Sequence, residues 1–316
     1  MKITIYQNNG EKLIQISNPI SKESIEINAS IGGTLTSMQL SNDLTTQELI
    51  SIPDQQKYTL NKNPFYPSGL LMPWVNRIRN GNYSFKGKNY QLPINESNLG
   101  NAIHGFMAHA NFEIIETKEN ENEGFVRLES IYDGLFPGFP FPFVCQLCYS
   151  LDKSGTLSFQ IIGKNCGEKP MPFATGWHPY FQLGNNLEDL TLYFNSKEKF
   201  LSDSQMIPLK SVAFLAQKGM PLHLEKPDNV FLLEKSKSNS VALLNDKSGL
   251  QLNLEFNSET FPYFVAFCPE GENCIALEPM TANTDCFNTN EGLLELDAQE
   301  EFHGSIKIYL SKIGQN

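Results

Sequence analysis

The stretch LQLNLEFNS, residues 250–258, puts Leu250, Leu252, Leu254 and Phe256 at every second position, with Gln251, Asn253 and Glu255 between them. Successive side chains of an extended chain point to opposite faces, so this spacing gives a strand one apolar and one polar face and gives a helix none. The same period returns in KITIYQ, KLIQIS, SIEINAS, FVRLESIY, TLSFQIIG and SIKIYLSKI. Between such runs, FKGKNY, ENENEG, LDKSGTL and NDKSGLQ supply the Gly, Asn and Asp that positive-φ hairpin turns require. Helical spacing sustained over a dozen residues is almost absent, and NLGNAIHGFMA is read as a short helical turn at most. The pattern predicts an all-β protein, a large antiparallel β-sandwich, because strands with one apolar face each must bury it against a second sheet.

No Pro/Ser-rich linker, composition shift or low-complexity tract divides the 316 residues, so a single domain over residues 1–316 is expected. No fixed-period repeat indicates a propeller. The balance of 24 Lys and Arg against 35 Asp and Glu gives a net charge of -11, which argues against nucleic acid or an anionic membrane surface as partner. The start, MKITIYQNNGEKLIQISNP, has no leader pattern, no run approaches a membrane span, and the six cysteines are too sparse for a disulfide scaffold. A cytoplasmic protein, monomeric or at most weakly dimeric, is expected. Cys145 and Cys148 form a CxxC, but within a strand-like run, where positions three apart face opposite ways, and they are read as buried small hydrophobes without a metal.

Four stretches interrupt the alternation with polar groups beside Gly or Pro. In PWVNRIRNG, residues 73–81, Asn76 is followed by Arg77 and Arg79, two of only three arginines in the chain. A guanidinium offers a rigid fork of donors to ligand oxygens, although a solvated strand end reads equally well locally. His104 precedes Gly105 in NAIHGFMAH, where a glycine permits close backbone approach. In FATGWHPYFQL, residues 173–183, Pro179 restricts His178 to extended geometry, and Trp177, Tyr180 and Phe181 are read as apolar walls. Glu278 follows the apolar run IAL, where burial would raise its pKa toward the range of a general base, and Asp228 stands ahead of another apolar run in KPDNVFLL.

Together, PWVNRIRNG with YSFKGKNYQLPINE, then GNAIHG, GFPFPF, WHPYFQL, DNVFLL and IALEPMTANTDCFNTNEGL, make the chain resemble the aldose 1-epimerase (mutarotase) family over most of its length. The resemblance implies a galactose mutarotase-like sandwich with a sugar cleft, and catalysis without a metal or organic cofactor. It matches Glu278 to the general base that takes the proton of the anomeric hydroxyl, and His178 to the general acid that protonates the ring oxygen. It matches Arg77 and His104 to contacts with sugar oxygens and Asp228 to the carboxylate that grips sugar hydroxyls, with Asn76 beside Arg77. Such a mechanism expects Glu278 ionised while His178 is protonated. Trp177 stands where galactose-specific members commonly carry asparagine and is expected to stack on the sugar or pack beneath His178. FPYFVAFCPEG is apolar where such members offer glutamine, which puts galactose preference in doubt. Three other readings stay open: a hexose-phosphate epimerase clamping phosphate with Arg77 and Arg79, a non-catalytic sugar-binding module, and a glycoside hydrolase using Asp228 and Glu278.

Overall fold

The structure is a computed structural model and describes residues 1–41, 46–214, 219–236 and 238–314. The last two residues of the expected domain lie outside the described residues. The opening stretch forms the strand Leu250–Phe256, with Leu250, Leu252, Leu254 and Phe256 buried as the alternation requires. It pairs with Asn239–Asn245 on one side and with the long strand Glu301–Lys312 on the other, inside a sheet of nine strands. That sheet continues through Leu157–Asn165, Phe143–Asp152 and Glu123–Tyr132 to an edge at Glu113–Glu119.

A second sheet of eight strands runs in the order Pro208–Ala213, Ser196–Ser202, Asp228–Leu233, Tyr263–Phe267, Ile275–Met280, Gly176–His178 and Gly69–Leu71, with Tyr180–Phe181 also pairing to Ile275–Met280. The N-terminal strands Lys2–Asn8, Glu11–Ser17, Ser24–Asn28, Thr34–Ser41 and Thr46–Glu48 form a five-stranded meander. The ladders between these strands are antiparallel, and the protein is the all-β antiparallel sandwich that the alternation predicts. One continuous apolar cluster fills the interior and takes residues from all three sheets, among them Ile14, Leu128, Phe159, Trp177, Leu252, Leu277 and Ile308. Burial on that scale drives assembly at about 25 cal/mol per Å² of apolar surface removed from water.

The helical turn expected in NLGNAIHGFMA reduces to a 3₁₀ turn, Met107–His109. The preceding pair, Ala102–Ile103, instead joins Arg77–Ile78 in a two-stranded ladder. Gly105 explains the tight course here: its φ is +68°, and an added Cβ would lie 2.0 Å from the Met72 carbonyl oxygen, so only glycine fits. All six cysteines are free, and Cys145 and Cys148 are both buried on Phe143–Asp152. Among the described residues, no helix is long and apolar enough to cross a membrane.

Candidate active site

The strand Ile275–Met280 is buried along its whole length because it has neighbours on both sides and a covered surface above and below. Ile275 and Leu277 enter the main core, whereas Ala276 belongs to a small separate cluster with Tyr180 and Cys274 on the other surface. Glu278, two residues after Ala276, shares that second surface. The pairs Gly176 with Met280 and Tyr180 with Ala276 set His178 opposite Glu278 in the antiparallel register. Directly opposed residues of such a pair send their side chains to one face. His178 Nε2 accordingly lies 3.2 Å from Glu278 Oε1, with the two side chains 6% and 2% exposed. Pro179, which cannot donate to a ladder, interrupts the pairing between them, while its carbonyl accepts from Leu277 N at 3.2 Å.

Two cross-strand rows contribute Asp228, Phe267, Tyr180, Val265, Glu278 and His178 to the floor of a cavity of about 220 Å³. One row runs Asp228, Phe267, Ala276, Tyr180, and the other runs Val230, Val265, Glu278, His178, Gly69. Phe65 and Tyr66 wall one side, and Asn76, Arg77, Glu96 and His104 another. The volume falls below the ~300–1,000 Å³ of sites for drug-sized ligands and suits a single small molecule. A larger hollow of about 380 Å³ between Ser51, Asp54, Gln182 and Glu272 has no buried residue in its lining, whereas the smaller one is floored by the buried Glu278 and His178.

The walls are held by strained backbone. Tyr66, Ser68, Asn76 and His104 have φ values of 49°, 50°, 49° and 63°, a left-handed cluster that non-glycine residues occupy only where the surroundings enforce it. His104 N donates to the Asn76 carbonyl at 2.9 Å, which ties the two wall segments together. The His104 ring meets Tyr66 and His178 edge-on at centroid distances of 5.0 and 5.1 Å. Arg77 makes a forked ion pair with Glu96, with Nη2 to Oε1 at 2.7 Å and Nε to Oε2 at 2.9 Å, and its Nη1 donates to Asn76 Oδ1 at 3.2 Å.

Electrostatics follow from burial. Desolvation pushes Glu278 well above the usual carboxylate range; the Asp228 charge adds to this and Arg77 opposes it. Desolvation pushes His178 down to about 4, and drives His104 well below the usual range, helped by His178 and Arg77. Asp228 stands at the exposed mouth, its carboxyl raised by desolvation and pulled back by Arg77. Burial thus favours the uncharged forms of Glu278 and His178, with one proton shared between them, and opposes the ion pair expected from the sequence. Glu278 Oε2 and His104 Nδ1 are buried without a hydrogen-bonding partner, a cost of ~1–3 kcal/mol each that a polar ligand would relieve.

Of the residues singled out in the sequence, Asn76, Arg77, His104, His178, Asp228 and Glu278 all line this one cavity. Trp177 does not, and its expected contact with the sugar is corrected. As the residue beside His178 on a strand it faces the opposite way, into the core, where it is 0% exposed, packs on Phe159 and donates its indole N–H to the Ser68 carbonyl at 3.0 Å. Phe181 is likewise a core residue, whereas Tyr180 does form a wall. The two-arginine phosphate clamp also fails to form. Arg79 lies in a 3₁₀ turn and is engaged by Asp203 at 2.6 Å and Gln205 at 2.7 Å, away from the cavity lining. Sequence reasoning named none of Phe65, Tyr66, Glu96 and Phe267, although Glu96 lay within the quoted PINE and Phe267 within the quoted FPYFVAFCPEG. Among the described residues, no three His, Cys, Asp or Glu side chains are grouped as a metal site.

Comparison with known proteins places this chain among relatives. YihR of Escherichia coli K12, an uncharacterized protein, is 28% identical over 256 residues, spanning 76% of this chain and 78% of its own. The plasmid-borne LacX protein of Lactococcus lactis is 25% identical over 251 residues, spanning 73% and 81%. A galactose mutarotase-like protein of Clostridium acetobutylicum superposes with a TM-score of 0.88 at 20% identity, over 99% of each chain. Galactose 1-epimerase of Lactobacillus acidophilus superposes with a TM-score of 0.81 at 18% identity, over 98% of each chain. These solved structures establish the sandwich fold, and the aldose 1-epimerase pattern matches residues 12–309. That match spans both large sheets and every residue of the cavity wall, and by it the chain belongs to the aldose 1-epimerase family.

Proposed function

We propose that the protein is an aldose 1-epimerase that interconverts the α and β anomers of a free aldohexose by ring opening and reclosure. The observation that carries this reading is the 3.2 Å contact between His178 Nε2 and Glu278 Oε1 at the floor of the cavity. The ring oxygen and the anomeric hydroxyl of a hemiacetal share one carbon, so an acid and a base that serve them must be neighbours. Glu278 takes the proton of the anomeric hydroxyl as His178 protonates the ring oxygen; the C1–O5 bond breaks and the aldehyde forms. Rotation about C1–C2 then presents the other carbonyl face, and reclosure returns both protons.

One proton moves on and one moves off the pair in each direction, so the pair begins as carboxylate and imidazolium and ends neutral. Burial favours the neutral form, and Arg77 together with the sugar's hydroxyls offsets that preference when the ligand is in place. Positioned acid–base catalysis contributes typically ~10²–10⁴-fold, provided the reacting atoms lie within ~2.6–3.2 Å. Arg77, His104 and Asp228 orient the sugar oxygens, and Tyr66, Tyr180 and Phe267 offer aromatic surface to its C–H faces.

The test follows anomeric interconversion of freshly dissolved α-glucose and α-galactose by NMR. Acceleration is expected from the parent, with near-background rates for Glu278→Gln and His178→Ala. A fully active Glu278→Gln protein removes the base assignment, and a parent that binds sugar without accelerating the interconversion turns the reading to a sugar-binding module.

A further inference from the structure

We propose that Glu96 is a positioning residue for sugar recognition: it locks the Arg77 guanidinium in one orientation at the cavity wall and offsets its charge. The inference rests on the aldose 1-epimerase reading for the identity of the ligand. A guanidinium carries five N–H donors. Glu96 takes the Nε donor and one on Nη2, and Asn76 Oδ1 takes one on Nη1, which leaves one donor on each terminal nitrogen. Arg77 and Glu96 both line the cavity, and their side chains are 18% and 13% exposed.

Glu96 is itself fixed. Its carbonyl accepts from Gly100 N at 2.8 Å, and its Oε2 accepts from Asn101 Nδ2 at 3.2 Å. Asn101 Nδ2 also donates to the Gln205 carbonyl at 2.9 Å, and Gln205 in turn accepts from Arg79 through its side-chain oxygen. Arg79, the discarded phosphate ligand, thereby anchors the turn that braces the wall. A long, rotamer-rich arginine held this way before the ligand arrives loses less freedom on binding. The charge of Glu96 also limits how far Arg77 can pull protons from the groups it faces, which are His104, His178, Asp228 and Glu278, with the phenols of Tyr66 and Tyr180 raised.

The experiment measures Kd for glucose and galactose by calorimetry, and KM, kcat and the pH profile of mutarotation, in the parent, Glu96→Gln, Glu96→Asp, Arg77→Met and the double variant Glu96→Gln/Arg77→Met. Glu96→Gln is expected to raise Kd and KM about tenfold with kcat within about threefold, because it loosens binding common to ground and transition states. Its alkaline limb is expected to move to lower pH, since Arg77 then acts on Glu278 unopposed. Glu96→Asp keeps the charge but retracts it, so KM rises while the limb stays. In the Arg77→Met background, Glu96→Gln is expected to change Kd by less than about twofold, the non-additivity of residues that act as a unit. An unchanged Kd in Glu96→Gln, or an equal loss with Arg77 absent, overturns the proposal. A parent that binds aldose without accelerating its mutarotation defeats the catalytic reading and leaves this test standing on Kd; a parent that binds no aldose overturns both.

Discussion

Glu278 and His178 are each almost wholly buried at the floor of the cavity, and their contact makes their titration a property of the pair. With the imidazole pushed down to about 4 and the carboxyl pushed up, the pair holds one proton across the neutral range. Catalysis needs that single proton, since one partner must accept while the other donates. As pH falls through about 4 a second proton binds His178 and the base can no longer be freed; at alkaline pH the shared proton is lost. The expected profile of enzyme-catalysed rate is a plateau through neutrality with an acid limb near pH 4, read by mutarotation kinetics after subtraction of the uncatalysed rate. An acid limb at the ordinary histidine value, near ~6.5, would show an exposed imidazole instead. That a carboxylate at the end of IAL would be buried was legible from the sequence; that it would touch His178, a hundred residues away, was not.

At the scale of the strand, one rule accounts for both a success and an error. Alternation sends His178 and Tyr180 to the cleft and Trp177 to the core, and the same alternation is present in the sequence of WHPYF. Reading Trp177 as a sugar contact followed its aromatic character in place of its parity with the histidine. Trp177→Phe is therefore expected to act on stability: it loses the bond to the Ser68 carbonyl and leaves a gap against Phe159, at a cost of ~1–3 kcal/mol. Thermal unfolding would show a lowered Tm, with KM for glucose within about twofold of the parent. A KM raised tenfold at unchanged Tm would restore the stacking role. The arginine segment failed for another reason. The strand ends at Ile78, Arg79 opens a 3₁₀ turn, and its guanidinium is taken by Asp203 and Gln205, partners that the local spacing does not reveal.

For the molecule as a whole, charge and cavity point the same way. The chain carries a net charge of -11, and the cavity sets the carboxyl groups of Glu96 and Asp228 against the single Arg77 cation, itself paired, while the Glu278–His178 pair with its one shared proton adds no net charge. A negative cavity inside a negative protein opposes an anionic ligand at every distance of approach. Mutarotation of glucose 6-phosphate is therefore expected to be slower than that of glucose by about tenfold or more in kcat/KM, with the gap narrowing as salt rises. Equal rates on the two sugars would favour the hexose-phosphate reading.

The amino-acid sequence alone determined the all-β sandwich and the set of polar residues worth watching, because a period of two and a Gly- or Pro-flanked polar break are local properties that each stretch carries by itself. It did not determine which of those residues meet. Register across the ladder set His178 against Glu278, and Asp203 and Gln205, far along the chain, engaged Arg79 outside the cavity lining. Those outcomes belong to the tertiary structure, since the facing of a side chain depends on which strand lies beside it, and that neighbour is a hundred residues distant in the chain.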